Sequence, residues 1–369
     1  MKDFNVDDFR GAPLPAEGEI MASWEGTNPL VSVVCTTYNH KNYIEDAIRG
    51  FLIQKTDFPF EVIIHDDAST DGTDLIVRKY VEEYPTLIRL ISQTENQYSK
   101  GKRVIPLAAK HAVGEYLALC EGDDFWVSPE KLSKQISSMK ANSQCKISFH
   151  RALMGGGQLS GRPISSSKLD WLTYPSKTFV FPAKNVILGD GVFMPTPSII
   201  VRKECLDSLP EWFDETPVGD YFIQVLSSMP AGALYLPDAM CFYRTQSSGS
   251  WTKTMKSNPT MRLKFFDSYM SAMRKLGSAI DKRYVDKIEK MIFIRFCHLL
   301  LDLNIPVEDV RARAELVGKE CAGNGQRSFA FLLSFSIAAR VGALARIVIF
   351  RATRALSSRL MFLSERNDA

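Results

Sequence analysis

The chain has 369 residues, of which 45% are hydrophobic and 24% charged, a composition typical of a globular protein with a main domain and an accessory part. The formal net charge is only +3, so the sequence lacks the strong positive field expected of a nucleic-acid-binding protein. Its seven cysteines are scattered and include no C-x-x-C pair, which favours reduced thiols and argues against a disulfide framework or a zinc site.

From Pro29 onward, apolar runs and amphipathic stretches alternate along the chain. The β-branched apolar runs predict buried strands, and apolar residues at helical spacing predict the helices between them. The predicted strands are 30–37, 60–66, 87–92 and 115–120, and the predicted helices are 42–54, 71–84 and 105–113. This order predicts an α/β fold with a doubly wound, mainly parallel sheet flanked by helices, in which ligands bind beyond the carboxyl ends of the strands.

Polar clusters follow three of these strands: TTYNH at 36–40, HDDASTDGT at 65–73 and EGDDFW at 121–126. Each cluster alone is compatible with a turn, and the second also with a helix N-cap followed by the glycine that eases the turn. Three such loops at successive strand ends favour a binding site, because the carboxyl ends of parallel strands share one sheet edge. We expect the three loops to converge.

The acidic loop at 121–124 crowds three carboxylates into four positions, and adjacent carboxylates repel each other unless a cation or a proton lies between them. Carboxylate oxygens suit a hard divalent cation such as Mg²⁺ or Mn²⁺, which completes its coordination with water and phosphate oxygens. The sequence has neither a Walker loop nor a G-x-G-x-x-G run after a strand. The prediction is therefore a divalent cation that bridges a diphosphate.

Three segments, VSVVCTTYNHKNYIEDAI, FEVIIHDDASTDGT and GEYLALCEGDDFWVSPEKLSKQ, together resemble glycosyltransferase family two, the inverting sugar-nucleotide-dependent enzymes with a GT-A fold. The resemblance covers residues 29–143. It implies a nucleotide-sugar donor, with a UDP-sugar favoured. It also implies that Thr36 and Tyr38 line the nucleotide base, that Asp67 accepts a hydrogen bond from the base, and that Asp66 supports the loop.

By the same resemblance, EGDD stands where the family has its D-x-D element, with Glu121 in place of the usual first acid. This implies that Asp124 and Asp123 hold Mn²⁺ or Mg²⁺, with Asp123 also beside the donor. The resemblance favours Asp220, in TPVGDYFIQVL, as the general base that an inverting transfer needs. The alternative is an N-cap worth about 1 kcal/mol.

Arg244, in CFYRTQSSGSW, is the candidate that neutralises the leaving phosphates, because a guanidinium binds phosphate bidentately. A surface salt bridge is the alternative for this residue. Lys102 and Arg103, in the loop after the third strand, could play the same part.

The tail, residues 327–369, contains seven arginines, and most of these fall in one sector of a helix opposite apolar side chains. This pattern favours a basic amphipathic helix in the membrane interface, with a membrane-spanning or domain-packed helix as alternatives. Because the N-terminal residues carry acids where a secretory signal has an apolar stretch, we expect a cytoplasmic protein, peripheral at the inner face of the cell membrane.

The predicted organisation is an N-terminal extension (1–28), a GT-A catalytic domain (29–250), a helical accessory region (251–326) and the basic tail. The catalytic domain would comprise a nucleotide-sugar half (29–143) and an acceptor half (144–250). The predicted function is a metal-dependent inverting glycosyltransferase acting on a lipid-linked saccharide in cell-surface polysaccharide synthesis. A non-catalytic nucleotide-sugar-binding scaffold, a sugar nucleotidyltransferase and a metal-dependent phosphohydrolase remain as alternatives.

Overall fold

The computed structural model describes residues 4–155, 174–191, 193–245, 247, 255, 258–300, 302 and 304–320. These residues divide into two compact units, the first before and the second after residue 254. The tail at 327–369, where we predict the interfacial helix, lies outside the described residues. Within the described part of the chain, no helix is both long enough and apolar enough to cross a membrane.

The first unit is built on a mixed sheet, and its strands among the described residues are β1 Val31–Thr37, β2 Phe60–Asp66, β3 Ile88–Ser92, β4 Tyr116–Glu121, β5 Phe125–Trp126, β6 Ile147–Gly155, β7 Phe179–Phe181, β8 Ile200–Arg202 and β9 Ala233–Arg244. The spatial order is β3-β2-β1-β4-β8-β6-β9-β5, with β7 also paired to β9. The four strands at the β3 end are parallel, whereas β8 pairs antiparallel with both β4 and β6. The carboxyl ends of β1, β2 and β4 therefore meet at one edge.

Helices of the first unit are α1 Val6–Gly11, α2 Glu17–Met21, α3 Ile44–Leu52, α4 Thr73–Glu83, α5 Val104–Ala109, α6 Lys131–Ala141, α7 Ala183–Gly189, α8 Lys203–Asp207 and α9 Gly219–Ser227. Helix α3 forms where the apolar spacing predicts it and buries Ile44, Ile48 and Phe51 completely. Helix α4 follows Gly72, whose φ of +92° is a left-handed conformation that favours glycine.

The predicted doubly wound α/β fold is confirmed, and the first four strands begin within one residue of their predicted positions. Helix α5 ends at Ala109, whereas the sequence predicts a helix as far as 113. The second half of the sheet contains antiparallel pairs. Strand β8 lies between β4 and β6 and is antiparallel to both, and β9 is antiparallel to β5 and β7.

Residues 4–21 precede the predicted catalytic domain in the sequence, and they pack against the rest of the first unit. Ile20 is 6% exposed and belongs to the main core, which contains β1, β2, β4 and α3. Val6 is 5% exposed and belongs to a smaller cluster with Phe125, Leu153 and Phe242. The N-terminal helices are therefore part of the folded unit.

The second unit, as far as it is described, is helical: α10 Pro259–Ala279, α11 Val285–Leu300 and α12 Val307–Glu320. Its buried face includes Phe266, Met273 and Ile288. Arg313 forms a salt bridge with Asp267 at 2.6 Å. A helical region after the α/β domain is thus confirmed.

Candidate active site

The first two polar loops are joined by hydrogen bonds between their backbone and side chains. The backbone N–H of Asn39 donates to Oγ of Ser69 at 2.8 Å, and the N–H of Thr70 donates to Oδ1 of Asn39 at 2.8 Å. Lys41 also donates its N–H to Oδ2 of Asp71, at 3.0 Å. These bonds join the loop after β1 to the loop after β2. The polar side chains of the two loops therefore do more than form local turns.

Asp66 and Asp67, at the end of β2, hold different loops. Asp66 accepts bonds from the N–H and the hydroxyl of Ser69, at 3.1 and 2.5 Å. Asp67 accepts the N–H of Gln97 at 2.7 Å and that of Tyr98 at 3.0 Å, through its two separate carboxylate oxygens. The predicted supporting role of Asp66 agrees with this geometry, while Asp67 additionally fixes the loop that follows β3.

The acidic loop is in contact with the loop after β1. The N–H of Gly122 donates to the carbonyl of Thr36 at 2.9 Å. A Cβ placed on Gly122 would lie 2.7 Å from Oγ1 of Thr37, so only glycine fits at this point without displacing its neighbour. Tyr38 follows at the end of β1 and is 44% exposed. The three predicted loops converge, and an open aromatic ring lies beside them.

Glu121, Asp123 and Asp124 form a cluster in which one carboxylate oxygen of each residue lies within 4.8 Å of the others. Asp124 is only 1% exposed. Its Oδ1 accepts the N–H of Arg244 at 2.7 Å, and its Oδ2 is buried without a hydrogen-bond partner among the described residues. The hydroxyl of Ser247 donates to Oδ2 of Asp123 at 2.6 Å.

Electrostatics in this cluster favour an added positive charge. Burial, followed by the charges of Asp123 and Asp220, raises the pKa of Glu121 to about 8. Burial, followed by the charges of Asp123 and Glu121, also raises the pKa of Asp124 well above its usual range. An unpartnered buried oxygen within a group of like charges fits a hard divalent cation, which takes oxygen ligands.

Asp220 lies in the first turn of α9, one residue after the helix begins. The N-cap residue of α9 is Val218, and no side chain caps the helix, so the expectation that Asp220 could be an N-cap is wrong. Its carboxylate raises the pKa of Glu121 and also that of the half-buried Tyr243 phenol, for which loss of solvation is the largest cause. Asp220 therefore belongs to the same electrostatic environment as the acidic cluster, despite being 96 residues further along the chain than Asp124.

Arg244 lies behind the acidic loop, with its side chain completely buried. Its guanidinium donates to Asp46 on α3 and to the carbonyl of Asp123. Of the other two basic candidates, Lys102 donates from Nζ to Oδ2 of Asp214 at 2.8 Å. Arg103 donates its backbone N–H to Oδ1 of Asp214 and its Nε to the backbone carbonyl of Asp214, each at 3.3 Å. Arg244 and Lys102 thus pair with acids inside the protein, whereas the guanidinium of Arg103 donates to the backbone carbonyls of Asp214 and Gly101.

Sequence reasoning missed Ser247, Tyr243 and Asp46. Ser247 lies in the segment that we singled out for Arg244, but a serine among several gives no separate signal. Tyr243 is half-buried, and the charges of Glu121, Asp123, Asp124 and Asp220 each raise the pKa of its phenol. Asp46 gave no signal either, because helical spacing places it opposite the apolar face of α3, where a solvated acid is ordinary, whereas the structure buries it against Arg10 and Arg244.

Residues 32–208 match the family model described as Glycosyl transferase family 2. An uncharacterized protein of Mycobacterium tuberculosis is 34% identical over 243 residues, a stretch that covers 64% of this chain and 64% of that relative. The UDP-Glc:alpha-D-GlcNAc-diphosphoundecaprenol beta-1,3-glucosyltransferase WfgD of Escherichia coli is 29% identical over 143 residues, covering 38% of this chain and 53% of that protein. The matched stretch thus spans less than two thirds of the length of either relative.

Two solved structures share the fold. TarS 1–349 of S. aureus in complex with UDP-GlcNAc is similar with a TM-score of 0.58 and 19% identity, covering 89% of this chain and 91% of that chain. The mannosyltransferase PcManGT from Pyrobaculum calidifontis, in complex with GDP-Man and Mn²⁺, is similar with a TM-score of 0.53 and 17% identity, covering 97% and 92%. Residues 32–208 of the chain thus match the Glycosyl transferase family 2 model, and the chain shares the fold of these two solved structures.

Proposed function

We propose that this chain is an inverting, metal-dependent glycosyltransferase that moves a sugar from a nucleotide-sugar to a hydroxyl of a saccharide acceptor. The observation that carries the proposal is the carboxylate cluster beside the loops after β1 and β2. Within this cluster, Oδ2 of Asp124 is buried without a partner among the described residues. Such an arrangement is costly unless a cation completes it.

In this proposal Asp124 and Asp123 hold Mn²⁺ or Mg²⁺, with Glu121 as the third carboxylate of the cluster. A cation bound there would act as a Lewis acid on the donor's diphosphate. Thr36 and Tyr38 would line the base, which the exposed ring of Tyr38 could stack against. Asp67 would accept a hydrogen bond from the base while it keeps its bonds to the loop after β3.

Asp220 would act as the general base. It would take the proton from the acceptor hydroxyl while the hydroxyl oxygen bonds to the anomeric carbon and the bond from that carbon to the phosphate oxygen breaks. Its place in the first turn of α9 supports this role, because the positive end of the helix dipole stabilises an ionised carboxylate. For Arg244, the burial of the guanidinium favours a supporting role behind the acidic loop over direct phosphate binding.

We propose a UDP-sugar as the donor and a lipid-linked saccharide as the acceptor, in cell-surface polysaccharide synthesis. TarS is solved with UDP-GlcNAc, and the name of WfgD specifies UDP-Glc and a diphosphoundecaprenol-linked acceptor. The basic amphipathic pattern of the tail supports attachment at the inner face of the membrane, where such an acceptor would be reached.

Calorimetric titration of the full chain with UDP, GDP, dTDP and CDP, each with and without Mn²⁺, tests the proposal. We expect one nucleotide, UDP, to bind tightly only when Mn²⁺ is present. If a folded chain binds none of the four, the proposal is wrong and a scaffold role gains support. If a nucleotide other than UDP binds, the donor class changes while the site assignment stands.

A further inference from the structure

We propose that Arg10, in the N-terminal helix α1, is a positioning residue for the acidic loop Glu121–Asp124. This inference rests on the proposed function, because it assigns α1 a part in shaping the metal site. Nε of Arg10 donates to Oδ1 of Asp46 at 2.8 Å, and Nη2 donates to Oδ2 at 2.6 Å. This two-pronged pairing fixes the orientation of the Asp46 carboxylate as well as its charge.

The same carboxylate holds Arg244. Nη2 of Arg244 donates to Oδ2 of Asp46, the oxygen that Nη2 of Arg10 also contacts. The guanidinium of Arg244 lies over two aromatic rings, 5.1 Å from the centroid of Tyr43 and 4.7 Å from that of Phe125. Because Arg244 has no exposed side-chain surface and Asp46 only 6%, neither group can turn to solvent for a replacement partner.

Arg244 then contacts the acidic loop through two separate groups. Nη1 of its guanidinium donates to the carbonyl oxygen of Asp123, and its backbone N–H donates to Oδ1 of Asp124 at 2.7 Å. A continuous series of hydrogen bonds therefore runs from Arg10 through Asp46 and Arg244 to both proposed metal ligands. Bonds of this charge-assisted kind are the stronger and more directional ones in proteins.

Aromatic packing provides a second connection between α1 and the loop. The rings of Phe4 and Phe9 lie 6.0 and 5.2 Å from that of Phe125, the residue directly after Asp124. On its other side, Phe125 stacks on Phe242 of β9 at 5.1 Å. The loop is thus bounded by β9 and by the N-terminal segment, so α1 restricts where the backbone after Asp124 can lie.

Replacing Arg10 should lower the affinity for the metal more than it lowers the free energy of unfolding. Its side chain is 46% exposed, and an ion pair with that much access to water contributes little to folding. Asp46 and Arg244 would still pair, so no buried charge would be left alone. However, one carboxylate oxygen, Oδ1 of Asp46, would lose the donor that orients it, and the orientation of Arg244 depends on that carboxylate.

Arg49 provides a matched control. It lies on α3, as Asp46 does, and it binds the same N-terminal segment that contains Arg10. Its Nη1 donates to the carbonyl of Ala12 at 2.6 Å, just after α1 ends, and this bond does not lead to the acidic loop. The full-length Arg10→Gln, Arg10→Lys and Arg49→Gln variants should be compared with the wild type. The Mn²⁺ dissociation constant, with and without UDP, is measured by electron paramagnetic resonance of free Mn²⁺, and thermal unfolding is followed in parallel.

We expect Arg10→Gln to weaken Mn²⁺ binding by about threefold to tenfold, below or at the lower limit of the loss typical for residues that touch a metal ligand directly. Arg49→Gln should bind Mn²⁺ as the wild type does, and Arg10→Lys should recover part of the affinity. Equal Mn²⁺ affinity in Arg10→Gln and wild type would overturn the inference alone, as would equal losses in Arg10→Gln and Arg49→Gln. A wild-type chain that binds no Mn²⁺ would overturn the proposed function together with this inference.

Discussion

The backbone N–H of Arg244 donates to Oδ1 of Asp124 at 2.7 Å, although 120 residues separate the two in the chain. This bond occupies one carboxylate oxygen and leaves the other, Oδ2, buried without a partner among the described residues. The two oxygens of Asp124 therefore differ, because one joins the loop to β9 and the other is the atom that we propose as the cation ligand.

Asp124→Asn should separate these roles. The side-chain carbonyl can still accept the N–H of Arg244, whereas the other oxygen becomes an amide nitrogen that cannot bind a cation. We expect Mn²⁺-dependent UDP affinity to fall by at least about tenfold, with thermal stability retained. Calorimetry of UDP with Mn²⁺ measures the change. Asp238→Asn, at an exposed carboxylate, is the control, and unchanged Mn²⁺ dependence in Asp124→Asn would refute the ligand assignment.

Asp220→Asn should remove the proposed base and keep the shape of its side chain. We expect kcat for sugar transfer to fall by about a hundredfold to ten-thousandfold, the range typical of general bases. Nucleotide affinity should remain close to that of the wild type, because Asp220 is not among the proposed donor-binding residues. The measurement is a transfer assay combined with UDP titration, with Asp207→Asn as a surface control. Equal losses of transfer and nucleotide binding would contradict the assigned role.

Ser247→Ala should leave Oδ2 of Asp123 without the hydroxyl that donates to it at 2.6 Å. A hydrogen bond to a charged group is worth about 1.5 to 3 kcal/mol, so we expect Mn²⁺ and UDP to bind at least about tenfold more weakly. Ser247→Thr keeps the hydroxyl and should bind nearly as the wild type does. The prediction fails if the alanine and threonine variants give the same dissociation constant.

Gly122→Ala should disturb the contact between the acidic loop and the loop after β1. The added methyl group would lie 2.7 Å from Oγ1 and 2.9 Å from Cβ of Thr37, distances that force the backbone to move. We expect a loss of about 1 to 3 kcal/mol in the free energy of unfolding, together with weaker UDP binding. Chemical denaturation measures the first effect. At Gly18, where the same methyl group meets no described atom within 4 Å, alanine should cost nothing.

Lys131 should make stability depend on pH. It is fully buried, donates to Oε1 of Gln135 at 2.8 Å, and lies over the Trp126 ring. Burial lowers its pKa to about 7. An unfolded lysine titrates near about 10.4, so above pH 7 the unfolded chain binds a proton that the folded chain has lost. The free energy of unfolding should therefore rise as the pH increases from about 7 to about 10, by up to about 1.4 kcal/mol per pH unit.

Lys131→Met should remove this contribution, so the difference in stability between wild type and variant should change with pH over that interval. Lys134→Met, one turn further along α6 at a position that is 41% exposed, should show no such change. Urea denaturation at several pH values gives the comparison. A difference between Lys131→Met and wild type that stays constant from pH 7 to pH 10 would contradict the burial of a neutral amine.

Much of the fold of residues 29–143 could be predicted from the sequence, because the order of its strands and helices follows from local patterns. The runs that became β1, β2 and β4 are mostly apolar, and the polar clusters come at the carboxyl end of each strand. The pairing of Arg244 with Asp46 could not be predicted, since the two residues are 198 positions apart and nothing local specifies which charges meet. For the same reason a residue chosen for phosphate binding lies behind the acidic loop.

Strand β9 is also the partner of β5, β6 and β7. A chain leaves the ribosome from its N-terminal end, so the loops after β1 and β2 emerge well before β9 is synthesised. The acidic loop receives its backbone donor, and Arg244 its place between Asp46 and Asp123, only when that late strand has been added. An unfinished nascent chain therefore has the loops after β1 and β2 but an acidic loop that lacks its bonds to Arg244. Under the proposed function, full donor binding would begin only once synthesis has passed Arg244.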